Sequence, residues 1–340
     1  MLDSKKTVLG FSCGDFNGVG MEVLIKAFSR SSLFDNCIPI VYSPKKLVDL
    51  YLYKMGLGGP TYNLIKNEQH AISGQLNIVD LNHDPFEISP GTLDSDSGKI
   101  SLLSLEACVV ALQKKLIDAM VTLPIIKNNI PAAGSLFVGH TEYLASRFKS
   151  KNSLMFLVSE KIKIATVTNH IPISKVSGLI TESNLSIKIR LLIKSLAKDF
   201  LIPRPKIAIL SLNPHAGDEG LVGREEIEII GPVINRFAST GELVSGPYPP
   251  DGFFGTSSHQ NFDAVLGMYH DQSLIPFKTL SFGRGVNFTL GLPVIRTSPD
   301  HGVGYDIAGK GLADESSLIE AILLACNTHK NRSIVSQNKH

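Results

Sequence analysis

Tryptophan is absent from this 340-residue chain, cysteine occurs only four times, and a formal charge of +2 leaves little excess of either sign. Each shortage excludes something. Lys and Arg are scattered among acids with no aromatic ladder between them, so nothing recruits a phosphate polymer, and nucleic-acid binding is not expected. Cys13, Cys37, Cys108 and Cys326 form no CxxC pair and lie in or beside apolar segments, as buried thiols of a reduced compartment do. No disulfide is expected. No apolar run reaches spanning length, and the opening MLDSKKTVLGFSCGD is broken by Ser and Gly before a signal core can form; the expectation is a soluble, cytoplasmic protein without membrane contact. Neither GxGxxG nor GxxxxGK[ST] occurs in its nucleotide-binding context.

What the chain does contain is a large apolar fraction, 43%, enough at this length for two cores. Short β-rich runs (TVLGFS, PIVYS, LNIVDL, DAMVTLPI) alternate with amphipathic stretches such as MEVLIKAFSR and ISLLSLEACVVALQKKL, the pattern of a layered α/β sheet. From about Asn152 the strands come closer together (SLMFLV, KIATVTN), followed by a helix over LSIKIRLLIKSLAKDF and a charged helix near REEIEIIGPVINRFA. The polar end KNRSIVSQNKH reads as a frayed tail.

Three apolar runs of the second half close on a histidine: IKIATVTNH at His170, KIAILSLNPH at His215 and DAVLGMYH at His270. Residues at the ends of strands in an α/β sheet gather where ligands bind, and neutral imidazole is the commonest metal ligand. Taken singly, each histidine reads as a strand cap bonded to its own loop; three in the same place read as one site.

Four further segments carry candidate chemistry. GDFNGVGMEVLIKAF, from Gly14 to Phe28, is either an anion cradle at a helix N-terminus or a tight turn that needs positive φ. In GHTEYLA, Thr141 reads as a helix cap and His140 as facing an anion. Glu225 and Glu226 suit the first turn of a helix and read as structural. From Met268 to Gly311, Lys278, Arg284, Asn287 and Arg296 stand among glycines and apolar residues, a composition fitting either an anionic small substrate or the rim of a dimer interface. The glycine-rich DHGVGYDIAGKG, Asp300 to Gly311, reads as a loop wrapping a flat or phosphorylated ligand with its backbone.

From Gly14 to about Asp314 these blocks, in order, resemble the 4-hydroxythreonine-4-phosphate dehydrogenase family of vitamin B6 synthesis, a branch of the isocitrate/isopropylmalate dehydrogenase-like fold. The resemblance rests on GDxxGxGxE, VTxPIxK, GHTEYLA, TNHIPI, NPHAG with GREE, GPYPPD, MYHDQ and GVNFTLGLPVIRTSPDHG. It implies two α/β domains with a cleft between them, residues 1–130 with 295–340 forming the first and 131–294 the second, which carries metal ligands and dimer contacts. It implies a divalent metal (zinc, magnesium or cobalt) on His170, His215 and His270, and substrate contacts at His140, Thr141, Lys278, Asn287 and Arg296. Asp251 and Lys278 are the candidate bases. NAD or NADP is placed along His301, Gly302, Asp306, Ile307, Ala308 and Gly309; the lack of an arginine in that loop favours NAD. The implied enzyme is a homodimer with a shared active site, inactive as a monomer. The chain departs from the family at Phe16, Asn17 and Met21, at Leu123 and Ile126, at Ser273, and at Val303 and Gly304.

The implied reaction is metal-dependent oxidation of 4-phosphooxy-L-threonine by NAD(P) to 2-amino-3-oxo-4-phosphooxybutanoate, which decarboxylates to 3-amino-2-oxopropyl phosphate on the way to pyridoxal 5′-phosphate. Two alternatives remain: a dehydrogenase of another phosphorylated four-carbon hydroxy acid, and, from another class, a metal-dependent phosphohydrolase.

Overall fold

The computed structural model describes residues 6–55, 59–82, 87–126, 130 and 139–337. The chain divides into two compact units, Met1–Ser150 with Leu292–Ser333, and Lys151–Gly291 with Ile334–His340. In chain order the first unit runs β1 (Thr7–Ser12), α1 (Gly20–Phe28), β2 (Cys37–Ser43), α2 (Lys45–Met55), β3 (Tyr62–Ile65), β4 (Leu76–Asp80), α3 (Ser95–Gln113), β5 (Ala119–Thr122) and α4 (His140–Arg147). The second runs β6 (Leu154–Val158), β7 (Lys163–Thr166), α5 (Val176–Leu179), α6 (Glu182–Asp199), β8 (Ile207–Leu210), α7 (Gly231–Ser239), β9 (Val244–Tyr248), α8 (Pro250–Gly255), β10 (Ala264–Gly267), α9 (His270–Ser281) and β11 (Val286–Leu290). The chain then returns to the first unit with β12 (Arg296–Pro299) and the start of α10 (Ser316–Gln337).

In the first unit the strands lie in the order β3-β4-β2-β1-β5-β12, all parallel. Strands such as TVLGFS and AMVT are buried almost without interruption, as befits a parallel sheet covered on both faces. On α3, Leu105, Cys108, Val109 and Leu112 pack with Ile40, Tyr42 and Met120, and the same core takes in Leu144 from α4 and Leu292. Those two side chains explain the unit boundaries. The sequence division placed residues 131–150 in the second domain and broke again at 294/295, whereas burial of Leu144 and Leu292 in the first core moves the breaks to 150/151 and 291/292.

The second unit has the order β11-β6-β7-β10-β8-β9. β6 pairs antiparallel with both β11 and β7, while β7, β10, β8 and β9 run parallel. Its core joins Leu157, Ile164, Ala208, Leu210 and Val265 to Phe253 and Phe277.

Several local expectations change. The helix read over REEIEIIGPVINRFA starts as a π-helical segment, Glu226–Ile230, before α7. The polar end is helical through Gln337, its Arg332 donating from Nη1 to the Pro293 carbonyl at 3.4 Å. β3, β9, β11 and β12 are strands that alternation alone did not single out. All four cysteines are free and buried, and burial pushes the Cys13 thiol up to about 12. Among the described residues no helix is long and apolar enough to cross a membrane.

Candidate active site

β7, β10 and β8 are neighbours and parallel, so the turns leaving their C-terminal ends lie along one edge of the sheet. His170 follows β7, His270 follows β10 and His215 follows β8. The histidines do not end the strands, as the sequence suggested; they occupy the turns beyond them. His170 (φ 30°) and His215 (φ 52°) are in left-handed conformations, costly for residues with a Cβ and concentrated where surrounding structure imposes them for a purpose. His270 is the first residue of α9.

Buried polar side chains hold these turns. Thr168 donates from both N and Oγ1 to the Met268 carbonyl (3.2 and 2.8 Å), joining the His170 turn to the residues before His270. Gln272 accepts from Met268 N (2.6 Å) and donates to the Ser211 carbonyl (2.7 Å), joining the His270 turn to the one that leads to His215. Glu226 accepts from Leu212 N and Asn213 N on Oε1 (2.7 and 2.8 Å) and from Asn213 Nδ2 on Oε2 (2.9 Å). Glu226 is therefore structural, as its sequence position suggested, but through a buried brace on the His215 turn. Asn213 also donates to Glu225, which holds that carboxyl below its ordinary range.

The His170 and His270 rings stand with centroids 5.4 Å apart at 45°. Two imidazoles on one tetrahedral cation, with bonds of about 2.0–2.1 Å, put ring centres about 5 Å apart. His270 Nδ1 is engaged by Asp271 Oδ1 at 2.6 Å, the outer-sphere arrangement that would leave Nε2 for a metal. This pair fits a metal. His215 is not drawn into it: among the described residues no three His, Cys, Asp or Glu side chains close into a cation site. A cavity of about 440 Å³ in the same unit is lined by Asp251, Phe254, Tyr269, Asp271, Gln272 and Ile275, among others; Tyr269 and Asp271 flank His270 in sequence, but neither histidine of the pair is among the lining residues. Asp251, in the first turn of α8, is exposed there; Lys278, exposed on α9, is not among the lining residues. Asn287, on β11, has a buried Oδ1 without a hydrogen-bond partner among the described residues.

In the first unit, His140 and Thr141 open α4, whose N-cap is Gly139, so Thr141 lies within the first turn and does not cap it. The helix is anchored by Leu144 in the core, by Tyr143 bonding Glu106, and by Arg147 on Glu106 at 2.5 Å. Arg296, only 3% exposed, is the first residue of β12 and pairs in register with Met120; Thr122, two residues on along β5, shares its face. The Thr122 hydroxyl accepts from Arg296 Nε (2.9 Å) and Nη2 (2.6 Å). Burial lowers the guanidinium to about 10, with Glu142 acting in the opposite direction. The Thr122 hydroxyl is one of its partners, and a buried guanidinium is suited to receive an anion. Sequence reasoning missed Thr122, although the VTLPI block contained it.

The Gly14–Phe28 segment resolves as a packed turn. The amides of Asp15, Asn17, Gly18 and Val19 all donate within the protein, to Pro124 O, Asp15 Oδ1, Asp15 O and Val303 O, so these four are committed to the turn itself. A Cβ on Gly18 would lie 2.7 Å from the Val303 carbonyl, which accounts for glycine there. In the loop read as cofactor-binding, His301 Nε2 is buried without a partner among the described residues, while its Nδ1 contacts the Gly302 carbonyl at 2.9 Å. Asp306 and Gly302 are exposed, Ile307 is half-buried and Ala308 is buried. Gly309 N donates to Glu22 Oε2 at 3.2 Å and is already committed, contrary to a loop that offers every amide to a ligand.

Two α/β units whose polar residues follow parallel strands make up the architecture of a small-molecule enzyme. The signature of the family described as Pyridoxal phosphate biosynthetic protein PdxA matches residues 35–325, and the chain belongs to that family. It is 40% identical over 332 residues to the 4-hydroxythreonine-4-phosphate dehydrogenase of Bacteroides thetaiotaomicron, covering 97% of this chain and 91% of that one. It is 35% identical over 322 residues to a protein of Oceanobacillus iheyensis whose name provisionally gives it D-threonate 4-phosphate dehydrogenase activity, covering 94% and 97%. The crystal structure of the Klebsiella pneumoniae 4-hydroxythreonine-4-phosphate dehydrogenase superposes with a TM-score of 0.85 at 31% identity, covering 96% of this chain and 99% of that one.

Proposed function

We propose that this protein is an oxidoreductase that oxidises the C3 hydroxyl of 4-phosphooxy-L-threonine with NAD(P), in pyridoxal 5′-phosphate biosynthesis. The product, 2-amino-3-oxo-4-phosphooxybutanoate, is a β-keto acid and loses carbon dioxide to give 3-amino-2-oxopropyl phosphate. The observation that carries this reading is the near full-length likeness to the Bacteroides thetaiotaomicron dehydrogenase.

Each unit contributes part of the residue set. Arg296, fixed edge-on by Thr122, binds the phosphate or carboxylate, with His140 and Thr141 as further contacts on the same unit. Lys278 and Asn287 are further proposed substrate contacts; the Asn287 Oδ1, buried without a partner among the described residues, favours a donor such as an ammonium or hydroxyl. His170, His215 and His270 are the proposed ligands of a divalent cation, zinc, cobalt or magnesium, which when bound supplies Lewis-acid polarisation of the substrate hydroxyl. Of the two candidate bases, Asp251 is preferred to Lys278: it lines the cavity whose wall includes Tyr269 and Asp271, the neighbours of His270, and Lys278 does not. The nicotinamide cofactor, when bound, takes the hydride; His301, Gly302, Asp306, Ile307 and Ala308 are its proposed contacts. A homodimer is part of the reading, supported by Leu221, Ile275 and Phe282, apolar residues exposed on the second unit.

The Oceanobacillus iheyensis likeness favours one second reading, a substrate of the same length without the amino group. A panel of phosphorylated four-carbon hydroxy acids with and without the 2-amino group, assayed with NAD and with NADP, separates the two. The first reading predicts the highest kcat/KM for the amino acid with NAD; a preference for the hydroxy acid lacking nitrogen overturns it in favour of the second.

A further inference from the structure

Glu22 and Lys26 lie on α1, outside every motif position assigned a role above except the GDxxGxGxE block itself. Glu22 is 1% exposed, and a buried carboxylate costs several kcal/mol unless its lone pairs are filled. Here they are filled by the glycine-rich loop. Oε2 accepts from Gly309 N at 3.2 Å, and Oε1 accepts from Ala313 N at 3.1 Å and from Lys26 Nζ at 3.1 Å. Lys26 Nζ in turn donates to the Gly311 carbonyl at 2.8 Å and the Ala313 carbonyl at 2.6 Å. One ion pair, spaced i and i+4 on a helix, thus grips both amides and carbonyls of the turn 309–313. Gly309 is left-handed (φ 72°), and a Cβ there would meet the Pro90 side chain at 2.8 Å, so the turn is held from its other side as well. A second latch lies nearby: Tyr305 donates to Asp15 Oδ2 at 2.8 Å, while Asp15 Oδ1 takes Ser97 Oγ at 2.5 Å and Asn17 N at 2.9 Å.

We propose that Glu22 and Lys26 are positioning residues for the dinucleotide: they clasp the 309–313 turn and so preset the loop on which His301 and residues 306–308 receive the cofactor. The proposal rests on the reading that this loop is the cofactor site. A loop ordered before binding spares the ligand the entropy of ordering it, so loosening the clasp weakens cofactor affinity without touching the phosphorylated substrate's contacts. Neither side chain touches substrate or cofactor in this account.

The test uses NADH binding to the full-length protein by fluorescence, steady-state kinetics, and hydrogen exchange of the peptide spanning 300–315, in Glu22→Gln, Lys26→Met, Lys26→Arg and His301→Ala. Glu22→Gln and Lys26→Met should raise the NADH dissociation constant about tenfold and speed exchange in that peptide, with the KM of the phosphorylated substrate changed less than about twofold. Lys26→Arg, which keeps a cationic donor for the two carbonyls, should restore most of the affinity. Lys26 is partly exposed, so Lys26→Met gives a reading even where Glu22→Gln fails to fold. If His301→Ala leaves NADH affinity unchanged, the loop is not the cofactor site and both the reading and the proposal fall. If His301→Ala weakens NADH binding and the clasp variants do not, only the proposal falls. Equal losses in both KM values, with no rescue by arginine, mark a merely structural role and overturn it too.

Discussion

Arg296 shows how one residue's chemistry depends on a partner far away in sequence. Its guanidinium is wholly buried beside the Thr122 hydroxyl, 174 residues away, and burial lowers it to about 10. Because the folded value lies below the unfolded one, the charged form is the penalised one: below about pH 10 folding bears the cost of burying it, and that cost is relieved as pH rises through about 10. Anion binding runs the other way, since it needs the charge. On the proposed role, affinity for the phosphorylated substrate should fall as pH is raised through about 10, and Arg296→Gln should bind weakly with a shallower fall. Calorimetric titrations at several pH values check this; wild-type affinity that stays flat across that range would contradict it. The arginine was legible in the sequence as a cation among glycines, but its anchor was not, because nothing in VTLPI announces a partner on a strand that itself went unrecognised. RTSP is too short, and too mixed in composition, to alternate visibly.

At the scale of elements, the sequence supplied the strands that lead to His170, His215 and His270, because each is a buried apolar run with a polar end. Their order, β7-β10-β8, was not legible, since adjacency in a parallel sheet is decided by long-range pairing. Nor were the braces: Thr168, Gln272 and Glu226 look like ordinary turn and helix residues until the turns they bind are in place. The placement of α4 depends likewise on long-range packing, with Leu144 buried in the first core and Tyr143, Ala145 and Phe148 packed against it, which local pattern could not assign. The Glu226 brace gives a prediction at this scale. Glu226→Ala leaves the part-buried amides of Leu212 and Asn213 without their acceptor, which should cost about 2 kcal/mol in denaturant unfolding and, on the proposed ligand set, lower bound-metal content by loosening the turn that carries His215. Unchanged stability with full metal content would show that the turn holds itself.

For the molecule as a whole, each unit carries a separable part of the proposed residue set. The first holds a buried arginine and a clasped glycine-rich loop; the second holds paired imidazoles, a cavity lined by Asp251 and exposed apolar side chains. The α/β class was legible because strand and helix periods alternate along the chain, whereas the division into units was displaced by the side chains Leu144 and Leu292. The glycine-rich loop shows the same limit in chemical terms. Its composition was read as a backbone cradle, yet the Gly309 amide already donates to Glu22, so on the proposed function the cofactor contacts would fall to His301 and the residues before the turn. On the proposed function, these parts oxidise a phosphorylated hydroxy amino acid, and the decisive experiment follows NADH absorbance and released carbon dioxide when the metal-supplemented protein meets 4-phosphooxy-L-threonine and NAD. NADH and carbon dioxide should form in equal amounts with the phosphate ester intact; inorganic phosphate released without NADH would rule out the dehydrogenase in favour of a phosphohydrolase.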